Sequence, residues 1–140
     1  MAANTTPIFS KIGRVGQSDA LPVATANTSK TLTSGTIYLV FTADATNGSR
    51  VNKLIWQPIG TNVATVGRIW LNNGATTGTA TNNTLIKDST LAATTNAEVA
   101  AIGNTEVILD IALPAGWRVY VTVGTTVAAG FNVAVIAGDY

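Results

Sequence analysis

A chain of 140 residues with 11% charged residues, a formal net charge of +1 and neither histidine nor cysteine excludes several chemistries at once. It has no disulfide or thiolate metal site, no imidazole base and no basic field to hold a nucleic acid backbone. With 46% hydrophobic residues and so few charges, its polar surface must be built from Thr, Asn, Ser and Gly, the residues of pleated surfaces and turns.

Residues 1–34 are poor in large apolar side chains and read as an extended N-terminal arm lying on something else. Within it, PIFSKIGRVG (residues 7–16) is one short strand, with Ile8, Ile12 and the stem of Arg14 on one side. The start, MAANTTPIFSKIG, has no basic segment followed by an apolar core and does not read as a secretory signal. No apolar run approaches the ~20 residues of a spanning helix, so no membrane partner is expected.

Regular alternation begins at Thr36 and marks a domain over residues 35–140. In TIYLVFTA, Ile37, Leu39 and Phe41 share one face and Tyr38, Val40 and Thr42 the other. The turn DATNGSR leads into RVNKLIWQPIG, which must end or bulge at Pro58. VATVGRIWL follows and is read as its neighbour in one sheet. After the loop ATTGTATNN come NTLIKDSTLAATT and EVILDIALP. The latter sets Val107, Leu109, Ile111 and Leu113 on one face against Ile108, Asp110 and Ala112. In WRVYVTVG, Val119, Val121 and Val123 alternate with Arg118, Tyr120 and Thr122. FNVAVIAG turns Phe131, Val133, Val135 and Ala137 inward. The one helix candidate, Asn96 to Gly103, reads equally as a loop.

Seven or eight short strands with closely spaced turns specify an all-β protein, a sandwich or a barrel, and the even count and long crossing loops favour an antiparallel β-sandwich of jelly-roll type. Its seven acidic residues are dispersed. They offer neither the paired carboxylates of a glycosidase nor a calcium loop. Asp88 and Asp110 could meet across strands, but so could any pair of the seven by chance. A serine nucleophile has no histidine to activate it. No enzyme activity, no cofactor and no metal are expected. Trp56 and Trp70 sit inside apolar runs and are expected to pack in a core or a subunit seam. Trp117 opens a strand after Pro114-Ala115-Gly116 and is the tryptophan expected to reach a surface.

The segments NGSRVNKLIWQPIGTNVATVGRIWLNNG, NNTLIKDSTLAATT and ALPAGWRVYVTVGTTVAAGFNVAVIAGDY together resemble the capsid decoration (cement) proteins of tailed bacteriophages and prophages. Within that family they are most similar to the jelly-roll cement type of a Bordetella phage head. The features carrying the resemblance are a GTNVATV–NNG hairpin, an LPAG-aromatic turn and a GDY end, over residues 36–140. KLIWQPIG and KIGRVG depart from the pattern.

The resemblance implies a virion protein, made in the host bacterial cytoplasm. It would sit on the outside of an HK97-like head and cement neighbouring copies of the major capsid protein. It also implies self-association, a homodimer in preference to a trimer, with no nucleic acid or membrane partner. Contacts are then expected from the arm and edge strands, at Ile8, Phe9, Lys11 and Arg14, and from Trp117. The alternative is a glycan-binding tail-fibre or spike domain. The loops ATTGTATNN and DATNGSR, almost bare of aromatic and acidic residues, speak against it.

Overall fold

Each alternating run forms a strand in the computed structural model, which describes residues 10–140. In chain order the strands are β1 (Ile12–Gln17), β2 (Tyr38–Thr42), β3 (Ser49–Pro58), β4 (Thr65–Asn72), β5 (Asn83–Leu91), β6 (Thr105–Leu113), β7 (Arg118–Val123) and β8 (Phe131–Asp139). They form two four-stranded sheets, ordered β1-β8-β3-β6 and β2-β7-β4-β5, in which every pair is antiparallel. This is the antiparallel β-sandwich expected of the composition. Pairing is nested: β1 with β8, β2 with β7, β3 with β6 and β4 with β5. The chain is a long ribbon, with its tip at the β4–β5 connection, rolled so that successive rungs alternate between sheets.

That rolling corrects one expectation. β3 and β4 belong to opposite sheets, so the GTN turn between them is a corner and not a hairpin. The two tryptophan strands face each other across the core instead of pairing. Gly67 on β4 makes the approach feasible, because a Cβ there would lie 2.8 Å from the Trp56 ring and 2.9 Å from Leu91. Trp56 is wholly buried and meets Phe131 edge-on, with ring centroids 6.0 Å apart. The expected inward residues of β7 and β8, Val119, Val121, Val123, Phe131, Val133, Val135 and Ala137, complete this core.

β2 departs from simple alternation. A register shift between Leu39 and Phe41 buries Tyr38, Val40 and Phe41 in the main core, while Ile37 and Leu39 pack on the opposite face of the sheet. Asn96 to Gly103 lies in an irregular stretch without helix, in which Val99 is almost fully exposed.

Residues 10–34 differ most from the expected arm, for they lie on the domain itself. β1 is the edge strand of one sheet. Residues 18–37 form a strap, bridged to the sandwich at Val23–Phe131 and Ala26–Val123. The strap's Leu32 is buried against Trp70 and Tyr120, with Ile37, Leu39 and Leu85 around them. A second apolar cluster thus covers the outer face of the β2-β7-β4-β5 sheet. Polar groups fasten the strap. Asn27 Nδ2 donates to the carbonyls of Ser34 and Thr36, both at 2.9 Å. Buried Arg68 reaches up from β4 to the Asn27 carbonyl at 3.0 Å, and Tyr38 Oη accepts the Thr25 amide at 3.2 Å. The composition misleads here because a strap needs only a few apolar anchors when its backbone is satisfied by side chains.

Candidate partner-binding surfaces

Strand pairing collects three of the predicted contact residues, Lys11, Arg14 and Trp117, at one end of the sandwich, where β1 and β3 begin and β2 and β8 end. Ile8 and Phe9 lie outside the described residues. Lys11 is exposed, and its amide donates to the Asp139 carbonyl at 2.7 Å. Arg14 does not wait for a partner's carboxylate. Its guanidinium pairs with Asp139 Oδ2 at 2.6 Å and lies over the Phe41 ring, 5.5 Å from its centroid. Asp139 accepts a second bond at 2.5 Å from Ser49 Oγ, so the carboxylate joins β1, β3 and β8. Trp117 is half-buried and packs against the main core, and its carbonyl accepts the Ala43 amide at 2.8 Å. Its ring is an extension of the core.

Arg50 and Asp44 at this end are also engaged. Arg50 donates to Asp110 Oδ1 at 2.6 Å, and Asp110 together with Tyr140 raises the guanidinium pKa above its ordinary value. Asp44 caps its own turn. Its Oδ1 accepts the amides of Asn47 at 2.7 Å and Thr46 at 3.0 Å, bonds that hold the carboxyl below the usual carboxylate range. Asp88 and Asp110 do not meet: each faces its own arginine, Arg68 and Arg50, on different sheets. Among the described residues no group of three or more acidic side chains converges to hold a metal, and no helix is long and apolar enough to cross a membrane.

Asp139 links three strands, so its removal tests the C-terminal closure directly. Asp139→Ala should lower unfolding free energy by about 1–3 kcal/mol, measured by urea denaturation. It strips partners from a buried hydroxyl and a guanidinium, with the lower end favoured because Arg14 stays 41% exposed and can rehydrate. An unchanged midpoint would show that the Arg14–Asp139–Ser49 cluster holds nothing together.

Two surfaces remain open. The first is a shallow groove of about 270 Å³ between the edge strands β1 and β2, lined in part by Arg14, Gln17, Asp19, Phe41 and Thr42. Its polar groups are largely committed, since Asp19 Oδ1 accepts the Leu39 amide at 3.1 Å and Arg14 is paired.

The second is the outer face of the β1-β8-β3-β6 sheet. Register places Val15 beside Ile136, Ile136 beside Lys53, and Lys53 beside Ile108, one row across all four strands. The neighbouring row runs Gln17, Ala134, Ile55 and Glu106. Val15 is 72% and Ile108 70% exposed, and no described residue covers them as Leu32 covers the other sheet. The alternation that sent Ile108 outward with Asp110 was the visible signal for this face. Val15 gave less, because the strand over residues 7–16 reads as part of an arm and not of the sandwich. No family model matches the chain, and neither a curated protein nor a solved structure matches it.

Proposed function

We propose that this chain is a structural virion protein, a decoration protein that binds the outer surface of an HK97-like phage head and cements neighbouring major capsid protein subunits. The reading rests on the family resemblance of residues 36–140. The observation that supports it best is the unequal treatment of the two sheets: one outer face is sealed by the strap, the other bears exposed Val15 and Ile108. A sandwich with one uncovered sheet face, on which apolar side chains lie beside paired charges, suits lattice-wide docking, which needs no catalytic group. The nested strand pairing supports the finer description of the sandwich as a jelly roll. In this reading the chain is not an enzyme, needs no cofactor, contacts neither nucleic acid nor membrane, and associates with itself. Two modest contacts per copy are enough, because the second is effectively intramolecular and raises avidity by roughly 10²–10⁴-fold.

The test is the copy number of this chain in purified virions, by quantitative mass spectrometry against the major capsid protein. A near-stoichiometric ratio is expected. A handful of copies per particle would overturn the decoration reading in favour of a tail-fibre or spike component, to be followed with a glycan screen. Deleting residues 2–16 would confuse the matter, because it removes most of β1 and uncovers β8.

A further inference from the structure

We infer that the outer face of the β1-β8-β3-β6 sheet is a homotypic interface, packing against the same face of a second copy about a two-fold axis parallel to the strands. This deepens the self-association within the proposed function by naming the face and the axis. It is carried by the surface itself and is tested without a capsid.

The argument starts from the order of side chains across the sheet. The row Val15–Ile136–Lys53–Ile108 has its most exposed apolar residues at its two ends, on the edge strands β1 and β6. A two-fold axis along the strands exchanges β1 with β6 and β8 with β3. It therefore lays Val15 of one copy on Ile108 of the other, twice, and brings the stem of Lys53 over Ile136. A closed dimer requires such an isologous patch, in which each residue meets its reciprocal partner.

Charge leads to the same occupant. Among the described strand residues the face carries two cations and two anions, already matched as Lys53–Glu106 at 3.0 Å and Arg50–Asp110 at 2.6 Å. A net-neutral face exerts no pull on a charged partner, and it meets a copy of itself without like-charge conflict. The strained backbone of Asp110, at φ 49°, belongs to a bulge: between the Lys53–Ile108 and Val51–Ile111 pairs, Leu109 and Asp110 oppose only Asn52. Bulges of this kind twist an edge strand away from edge-to-edge pairing. That leaves the face, and not the β6 edge, for association.

Area sets the strength. Four strands at ~4.8 Å and about seven residues at ~3.3 Å give a face of roughly 440 Å² per copy. The pair then buries about 900 Å² of plane, at the low end of specific interfaces. The dimer is accordingly weak and concentration-dependent.

Sedimentation velocity of the full chain from micromolar to millimolar concentration should show the mass rising from 14.4 kDa towards twice that value. Ile108→Lys and Val15→Lys should each weaken association at least tenfold, while Val99→Lys, on the irregular stretch, leaves it unchanged. Near-ultraviolet circular dichroism confirms that each variant is folded, and Val15→Thr serves as a milder substitute where the lysine variant is not.

The natural chain has no cysteine, so the axis can be read directly. Chains carrying Val15→Cys mixed with chains carrying Ile108→Cys should be joined by a short bifunctional maleimide much faster than either variant alone. A linker is needed because packed sheets lie ~10 Å apart, beyond the ~6.8 Å between Cα atoms that a disulfide spans.

A chain monomeric at every concentration overturns the proposal, as does a dimer indifferent to Ile108→Lys, or Val15→Cys chains joining best to each other. A dimer that appears only when residues 2–9 are removed also overturns it, by giving the face to the chain's own N-terminus. None of these results touches the virion copy number, so the interface and the decoration reading fail separately.

Discussion

Trp56→Ala should destabilise the protein by about 3–5 kcal/mol, the usual cost of replacing a fully buried large aromatic with alanine. Trp56 is 0% exposed, spans the gap between the sheets from β3 to Gly67 on β4, and supplies the edge-to-face contact with Phe131. A cavity there borders both sheets, and a β-sandwich core cannot collapse locally without shifting a whole strand. Trp56→Phe separates shape from polarity. The indole Nε1 is buried without a hydrogen-bond partner, so phenylalanine removes an unsatisfied donor worth ~1–3 kcal/mol while keeping most of the ring. It should therefore cost clearly less than alanine, and urea denaturation of the pair measures the difference. Equal losses for the two variants would overturn this account, because they would show that the retained phenyl ring recovers none of the packing.

Leu32→Ala should release the strap while leaving the sandwich folded. Leu32 is 1% exposed and is the only fully buried strap side chain in the second apolar cluster, beside the half-buried Ile37. It also sits in the left-handed region at φ 61°, a conformation costing of order 1–3 kcal/mol for a residue with a side chain. Its burial, worth about 2–5 kcal/mol against alanine, is what offsets that strain. Without the leucyl group the balance favours a detached segment, exposing Trp70 and Tyr120. Hydrogen exchange should then accelerate over residues 18–37, with protection kept in β7 and β8, and tryptophan emission should shift to the red. Leu32→Gly is the informative companion. It loses the same contact but removes the φ penalty, so it should detach less than a sum of burial and glycine entropy suggests. Acceleration spread evenly over both sheets would show that the strap is part of the global unfolding unit.

Local sequence rules identified most strand positions and faces because alternation is a property of neighbouring residues. Val107 to Leu113, Val119 to Val123 and Phe131 to Ala137 could be oriented from period two alone, and Pro58 ended β3 where a missing amide required it. The absence of histidine and cysteine was a matter of composition. Which strands pair is different: it depends on contacts far apart in the chain. A turn such as GTN looks the same whether it closes a hairpin or carries the chain to the opposite sheet, so the burial of Trp56 between the sheets and of Trp70 on the outer face of the opposite one emerged only in three dimensions.

The same limit explains the arm. Val23, Leu32 and Asn27 are too sparse to form a period, and their value arises from surfaces that other strands build. Arg14 read as a free cation because Asp139 lies 125 residues away. The sequence by itself determined strand content, strand faces and the lack of imidazole and thiol groups, all set by short-range pattern and side-chain chemistry. Only the tertiary structure decided which outer face is sealed and which is open, since covering a sheet is a long-range exchange of backbone order for apolar burial.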